Sequence, residues 1–439
     1  MYQKIARLVV YRNLDPDGIL VRLADIFRRF KQGGSNREEL TADIYTEIHR
    51  LLDVATQYGF DKNLWHNYLA YLLATTETPF SLTCEKIGAG DGSVNRLATG
   101  DFKVFKELFD YDFSRIEQAL GIDCFSTISH YHAIKKDQKK YNRNVSERVR
   151  ALSQSIEAAQ DEHAVFKVVT DFYRDHGVGM FGLNKAFRIV DEAGQVALEP
   201  ITNTVEVRLS DLIGIEPQKK ALVDNTEAFL AGRPANNVLL HGDSGTGKST
   251  SIKAILNEYH PQGLRVIEIY KHQFKDLSSV IALIKNRNYR FIIFMDDLSF
   301  EDFEIEYKYL KAVIEGGLEV TPDNVLIYAT SNRRHLIRET WTDRKDAAND
   351  DDIHHSDTAE EKISLVNRFG VTIKFSKPNQ KAYLEIVKGI AKRYPEITLS
   401  EEELVQEAYR WGMWHGNISG RRAQQFINFL LGHPAPIDV

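Results

Sequence analysis

Apolar residues recur at helical spacing through the first part of the chain. Ile19, Leu20, Leu23, Ile26, Phe27 and Phe30 mark one amphipathic face, and Leu64, Tyr68, Leu69, Tyr71, Leu72 and Leu73 mark another. A further helix is expected over residues 147–159. The pattern changes near residues 190–210. From about residue 199, short continuous apolar runs alternate with amphipathic stretches. Residues 237–241, 263–270, 290–296, 324–330 and 371–375 each have the length and make-up of a buried strand. Helical patterns lie between most of them, at 249–259, 277–285 and 305–315. Strands apolar on both faces and separated by helices predict a five-stranded parallel sheet covered on both sides. After Pro378 the pattern is helical again, over 380–393, 401–411 and 420–431. The expected organisation is a mainly helical N-terminal domain over 1–195, an α/β domain over 196–376 and a small helical domain over 377–439. Residues 342–361, rich in Asp, Glu and His, are expected as a polar insertion between the fourth and fifth strands.

Composition narrows the class. The 439 residues suffice for two or three domains, and 43% hydrophobic with 27% charged residues is ordinary for a soluble globular chain. A formal net charge of -6 offers no overall basic field to nucleic acid or an anionic membrane. No run approaches the roughly 18 apolar residues of a membrane span. The first apolar run is too short for a secretory signal and is interrupted by arginine. The two cysteines, Cys84 and Cys124, form neither a CxxC pair nor part of a zinc-spaced cluster. They are expected as small buried apolar residues of a cytoplasmic protein.

Some strings have simpler accounts than the chemistry they suggest. Residues 130–150 carry Lys135, Lys136, Lys139, Lys140, Arg143, Arg148 and Arg150 with Tyr131 and Tyr141, a set able to touch phosphates. A solvated helix face or loop accounts for it as well. Gly177, Gly179 and Gly182 spell GxGxxG but follow a polar helix end rather than a buried strand, so a turn is expected there instead of a dinucleotide site. Trp411, Trp414 and His415 are expected to pack the helical domain, and His354 and His355 in the acidic insertion make a poor metal site.

The chemistry concentrates after the first strand. Gly242, Asp243, Ser244, Gly245, Thr246, Gly247, Lys248 and Ser249 satisfy GxxxxGK[ST] in full, with Thr250 following. The glycines let the backbone curl so that its N–H groups point at phosphate oxygens, and the following helix adds the positive end of its dipole. Lys248 is placed to reach the β- and γ-phosphates, and the Ser249 hydroxyl to ligate Mg²⁺. A P-loop enzyme also needs a carboxylate where a neighbouring strand emerges. Phe291, Ile292, Ile293, Phe294 and Met295 run into Asp296 and Asp297. Asp296 is assigned to the metal and Asp297 to the attacking water.

Together these pieces resemble the AAA+ ATPases. The resemblance implies a P-loop nucleotide-binding domain with a small C-terminal helical lid, ATP and Mg²⁺ as ligands, and a homo-oligomeric ring, a hexamer being favoured. Residues 211–215, with Ile213 and Gly214, look like the segment that packs on adenine. Asn332, at the end of Tyr328-Ala-Thr-Ser-Asn, matches the sensor that contacts the γ-phosphate or attacking water. Arg368 matches the arginine finger that reaches a neighbouring subunit. Arg421, with Arg422 as second choice, looks like the lid sensor. The strings at 225–230, 296–301 and 329–336 resemble more closely the bacterial predicted-ATPase family called domain of unknown function 815, over about residues 195–431. Two features depart from the AAA+ pattern. Asp297 stands where most members carry glutamate, so water activation is expected to be slower or to use Glu301. Residues 271–277 lack the aromatic-hydrophobic-glycine string of threading unfoldases, with Phe274 the one aromatic there.

The resulting expectation is an oligomeric ATPase that remodels an unknown protein client. Two other readings stay open: a nucleotide-gated scaffold with slow or no hydrolysis, and a nucleic-acid-associated ATPase resembling helicase loaders.

Overall fold

The computed structural model describes residues 1–33, 36–133, 143–192, 194–300, 306–315, 322–332, 366–416 and 418–433. The chain divides into two compact units, Met1–Asn184 and Lys185–Val439.

The first unit is helical, as its periodicity predicts. Ile19–Gln32 and Leu64–Thr75 form on the two faces read from sequence, and Arg143–Ala158 on the third. Helix starts follow their caps: Asn36, Asn63 and Asp161 accept backbone N–H bonds at the heads of Arg37–Tyr58, Leu64–Thr75 and Glu162–His176. The core is aromatic, with Trp65, Phe102, Phe105 and Phe125 almost fully buried. Buried polar groups are paired: the Trp65 indole donates to the Leu108 carbonyl at 2.8 Å, and Asp101 accepts the amides of Val9 and Tyr11. Gly177 ends a helix and Gly179–Leu183 is a short helical turn, so the GxGxxG string is a turn, as expected. Cys84 is buried and Cys124 half-buried. Of the basic run, Lys135, Lys136, Lys139, Lys140 and Tyr141 lie outside the described residues, as do Glu301 and the insertion with His354 and His355.

The second unit is built on a sheet whose strands are β1 (Ala186–Glu192), β2 (Gln195–Pro200), β3 (Val238–Gly242), β4 (Leu264–Glu268), β5 (Arg290–Met295), β6 (Val325–Ser331) and β7 (Val371–Phe375). Their order is β2-β1-β4-β5-β6-β3-β7. The expectation of five parallel strands therefore needs correction to seven. The five expected strands are present and mutually parallel. The extra two form an antiparallel pair, with β1 parallel to β4 over Ala186–Arg188 only. β2 is the edge strand and β1 lies between it and β4. Arg188, Asp191, Glu192 and Glu199 interrupt them, so they lack the continuous apolar run that identifies a strand covered on both faces.

The helices of this unit are α1 (Glu216–Leu230), α2 (Lys248–Tyr259), α3 (Leu277–Ile284), α4 (Glu306–Glu315), α5 (Gln380–Ala391), α6 (Glu401–His415) and α7 (Gly420–Gly432). The last three share a core of Tyr383, Val387, Leu404, Ala408, Phe426 and Ile427. Trp411 stacks on His415 and packs against Phe426 and Phe429, as expected. Trp414 does not pack: it is 76% exposed. Leu404, Ala408, Trp411 and His415 hold one face of α6 at steps of three and four, and position 414 falls off that face.

The chain leaves β3 through α2 to β4, three places away, and returns by single steps to β6 beside β3. This brings the C-terminal ends of β5, β6 and β3 side by side. At the end of β3, Gly242 has φ 130°, and a Cβ there would lie 1.9 Å from the Phe375 carbonyl oxygen of β7. Gly242→Ala is therefore expected to destabilise the β3–β7 pair by roughly 1–3 kcal/mol or more. Hydrogen exchange of the β3 and β7 amides reads this locally; unchanged protection would contradict it.

Candidate nucleotide site

The P-loop leaves β3 and opens α2, as its sequence requires. Gly242, Gly245 and Gly247 all hold positive φ, which bends the loop back on itself. Thr246 donates its hydroxyl to the Asp243 carbonyl at 2.7 Å and is buried, while Ser244 and Thr250 are exposed. The Asp243 carboxylate turns away from the loop and accepts the Lys377 amide at 2.8 Å, at the start of the connection to α5.

Lys248 is buried at the head of α2. Its ammonium donates to the carbonyls of Gly242 and Asp243 at 2.9 and 2.7 Å, and to the side-chain oxygen of Asn332 at 2.9 Å. Burial pushes its pKa below the ordinary lysine value; Asp297, Asp243 and Asp296 oppose that shift and Arg421 adds to it. The three hydrogen bonds satisfy its donors without a carboxylate in contact.

The acid pair emerges from β5 where the apolar run ends, and both residues are exposed. Asp296 accepts from the Ser249 hydroxyl at 2.5 Å and from the Thr330 hydroxyl at 2.6 Å. Asp297 has φ 53°, a left-handed conformation uncommon outside glycine. Two bonds hold it there. Its amide donates to the Thr330 hydroxyl at 2.9 Å, and its carboxylate accepts the Asn332 side-chain amide at 2.7 Å. Asn332 thus joins Lys248 to Asp297 in one chain of contacts.

Thr330 is a further residue of the site, beyond those the motifs mark. It is 1% exposed, and its hydroxyl donates to Asp296 while accepting from Asp297. The register explains its position. Ala329 pairs with Met295 of β5 and Thr330 with Leu240 of β3, so Thr330 stands in the row between the acids and the P-loop. A buried threonine one residue beyond an apolar strand run was the available signal.

The C-terminal helices meet the loop as well. The Arg421 amide donates to the Gly245 carbonyl at 3.1 Å, and a Cβ on Gly245 would lie 3.1 Å from the Ser419 hydroxyl. This brings the backbone of Arg421 to the P-loop, while the Arg422 guanidinium donates to Gln425 on its own helix. Ile213, Gly214 and Ile215 run from α5 to the loop: a Cβ on Gly214 would lie 3.6 Å from Ile386, and one on Gly247 would lie 3.7 Å from Ile215.

Arg368 stands apart from these groups. Val238 pairs with Val371 and Gly242 with Phe375, so the P-loop leaves β3 at the Phe375 end, while Arg368 precedes the Val371 end. The five-residue strand β7 between them is about 13 Å long at ~3.3 Å per residue. Phe274, in the loop after β4, is buried against Phe300.

Ser249 and Asp296 suit a small hard cation: two oxygen ligands from different elements, already in contact, beside a cradle of backbone N–H groups. Among the described residues no cluster of three or more His, Cys, Asp and Glu forms a closed metal site. Mg²⁺ needs none, since it takes few protein ligands and completes its shell with phosphate and water.

A mainly parallel sheet carrying the P-loop on β3, an acid pair on β5 and Asn332 at the end of β6, with a helical appendage touching the loop, is a P-loop fold of the AAA+ type. The chain belongs to the family described as "Protein of unknown function (DUF815)", which matches residues 183–434. No curated protein matches. Among solved structures it is similar to the RuvB Holliday junction branch migration motor of Thermotoga maritima. The identity is 15% and the TM-score 0.33, over 51% of this chain and 72% of that one. A point variant of that protein gives 15% identity and a TM-score of 0.32 over the same shares. Likeness at that level does not bear on function. No described helix is long and apolar enough to cross a membrane.

Replacing Thr330 by valine keeps the shape but leaves the Asp297 amide without its acceptor. Thr330→Val is expected to lose roughly 1–3 kcal/mol of stability and Thr330→Ser less than about 1 kcal/mol, read by urea denaturation. Equal effects of the two would remove the hydroxyl from the account.

Proposed function

We propose that this protein is an AAA+ ATPase that hydrolyses ATP at a site shared between copies of itself and uses the cycle to remodel a partner. The observation that carries the reading is the chain Lys248–Asn332–Asp297, set at the ends of three neighbouring strands beside the Ser249–Asp296 contact.

The roles follow from the chemistry of each group. The backbone N–H groups of the P-loop, from Gly242 to Thr250, cradle the phosphates, and Lys248 exchanges its carbonyl and Asn332 contacts for β- and γ-phosphate oxygens. A lysine held by neutral oxygens in a desolvated site gives up less on that exchange than one locked in an ion pair. Ser249 and Asp296 would hold Mg²⁺, which would neutralise phosphate charge. Asp297 orients water for in-line attack, and its left-handed backbone aims the short carboxylate. Asn332, released from Lys248, holds the water or the γ-phosphate. Ile213 and Gly214 pack on the base, and Arg421 carries the nucleotide state into the lid.

Arg368 lies a strand's length from its own P-loop, which favours service at the site of a neighbouring copy. A closed ring of copies supplies one such arginine to every site, and a hexamer is the ring we favour. The client is a protein, and the first helical unit is the part we assign to recognising it.

The nucleotide-gated scaffold has its own support. Asp297 carries the shorter acid, and its carboxylate is engaged by Asn332. Multiple turnover separates the two readings: stoichiometric ATP binding without turnover favours the scaffold.

Lys248→Ala is expected to abolish ATP binding in titration calorimetry, and normal turnover in that variant would sink the site. Specific ATPase activity should rise with protein concentration and fall at least about 100-fold in Arg368→Ala. Mixing Lys248→Ala with Arg368→Ala should restore part of the activity, because each supplies what the other lacks. No recovery, with both variants assembled, would rule out a shared site.

A further inference from the structure

Gly389 lies in the last turn of α5, where its backbone is that of an ordinary helical residue, with no positive φ to call for glycine. What calls for glycine is space. A Cβ at position 389 would lie 2.1 Å from Cδ1 of Ile213 and 3.3 Å from its Cγ1. Carbon atoms in contact sit about 3.5–4.0 Å apart, so any other residue at 389 evicts the tip of Ile213. Ile213 is half-buried there, packed against the core shared by α5, α6 and α7.

The neighbouring contacts give this vacancy a consequence. Ile386 and Gly389 are three apart and share one face of α5. Ile213 meets Gly389, Gly214 meets Ile386, and Ile215 meets Gly247 of the P-loop. Three consecutive residues therefore bridge from the lid helix to the phosphate cradle. How deeply Ile213 seats in α5 fixes where Gly214 and Ile215 stand beside the loop.

We propose that Gly389 is a positioning residue for the base of the bound nucleoside triphosphate, acting by admitting the Ile213 side chain into α5. This rests on the nucleotide-binding reading above. Alanine at 389 forces Ile213 into another rotamer or lifts the segment from the helix. Either change moves the wall on which the base lies and leaves the phosphate cradle in place. Ile213→Val deletes Cδ1, the atom that would be struck, so it should relieve the fault.

The test uses the full chain and titrates ATP and inorganic tripolyphosphate, which has no base. Gly389→Ala is expected to weaken ATP roughly three- to tenfold, the scale of one off-rotamer side chain. Tripolyphosphate binding should change less than about twofold, and in steady state the loss should fall on KM more than on kcat. The double variant Gly389→Ala/Ile213→Val should bind ATP as tightly as Ile213→Val alone, whose own loss measures what Cδ1 contributes to the base contact, and recovery is judged against that single variant. Unchanged ATP affinity in Gly389→Ala, an equal loss for tripolyphosphate, or no recovery in the double variant would each overturn the proposal. If Gly389→Ala fails to fold, the double variant is expected to fold, and its failure would overturn the proposal as well. Absence of ATP binding by the unaltered protein would instead sink the nucleotide reading on which this one stands.

Discussion

A strand covered on both faces carries a charge only where that charge finds partners, as Arg265 of β4 does with the His260 and Leu264 carbonyls, because burying an unpaired ion is far costlier than leaving it in water. Val238, Leu239 and Leu240 of β3 are fully buried, and β5 is buried from Phe291 to Met295. On β3 and β5 the polar chemistry is thereby driven to the strand ends. Because the strands are parallel, the ends that carry it face the same way. Lys248, Asp296, Asp297 and Asn332 meet for that reason, although they are up to 84 positions apart in the chain.

Strand order then decides what touches what. With β6 between β3 and β5, its last residues lie between the two strand ends, while Ser249 of the P-loop reaches Asp296 directly. Asn332 and Thr330 fill that gap in different ways. Asn332 has both a donor and an acceptor, so one amide serves Lys248 and Asp297 together. Thr330 likewise donates to one aspartate and accepts from the other. The same order puts β7 at the far edge, with Arg368 at the end of it opposite the loop. A side chain there starts about a strand's length from the P-loop of its own chain.

The helical appendage is joined to this centre through backbone contacts and close packing. The Lys377 amide meets Asp243, the Arg421 amide meets Gly245, and Ile213 seats against α5 at Gly389.

The sequence by itself determined the elements and most of the chemistry. Five strands and their helices followed from continuous apolar runs and helical spacing. The P-loop and the acid pair followed from residue types whose use depends on local chain geometry, and Asn332 was singled out by the resemblance to the AAA+ pattern. The sequence did not mark β1 and β2, since strands at the margin of a sheet that are broken by charges have no distinctive local pattern. It misplaced Trp414, whose exposure depends on which face of α6 the neighbouring helices cover. Strand order, the Thr330 bridge, the Asp243–Lys377 contact and the space at Gly389 belonged to the tertiary structure alone. Each depends on which elements lie side by side, and that is settled by the packing of the whole unit.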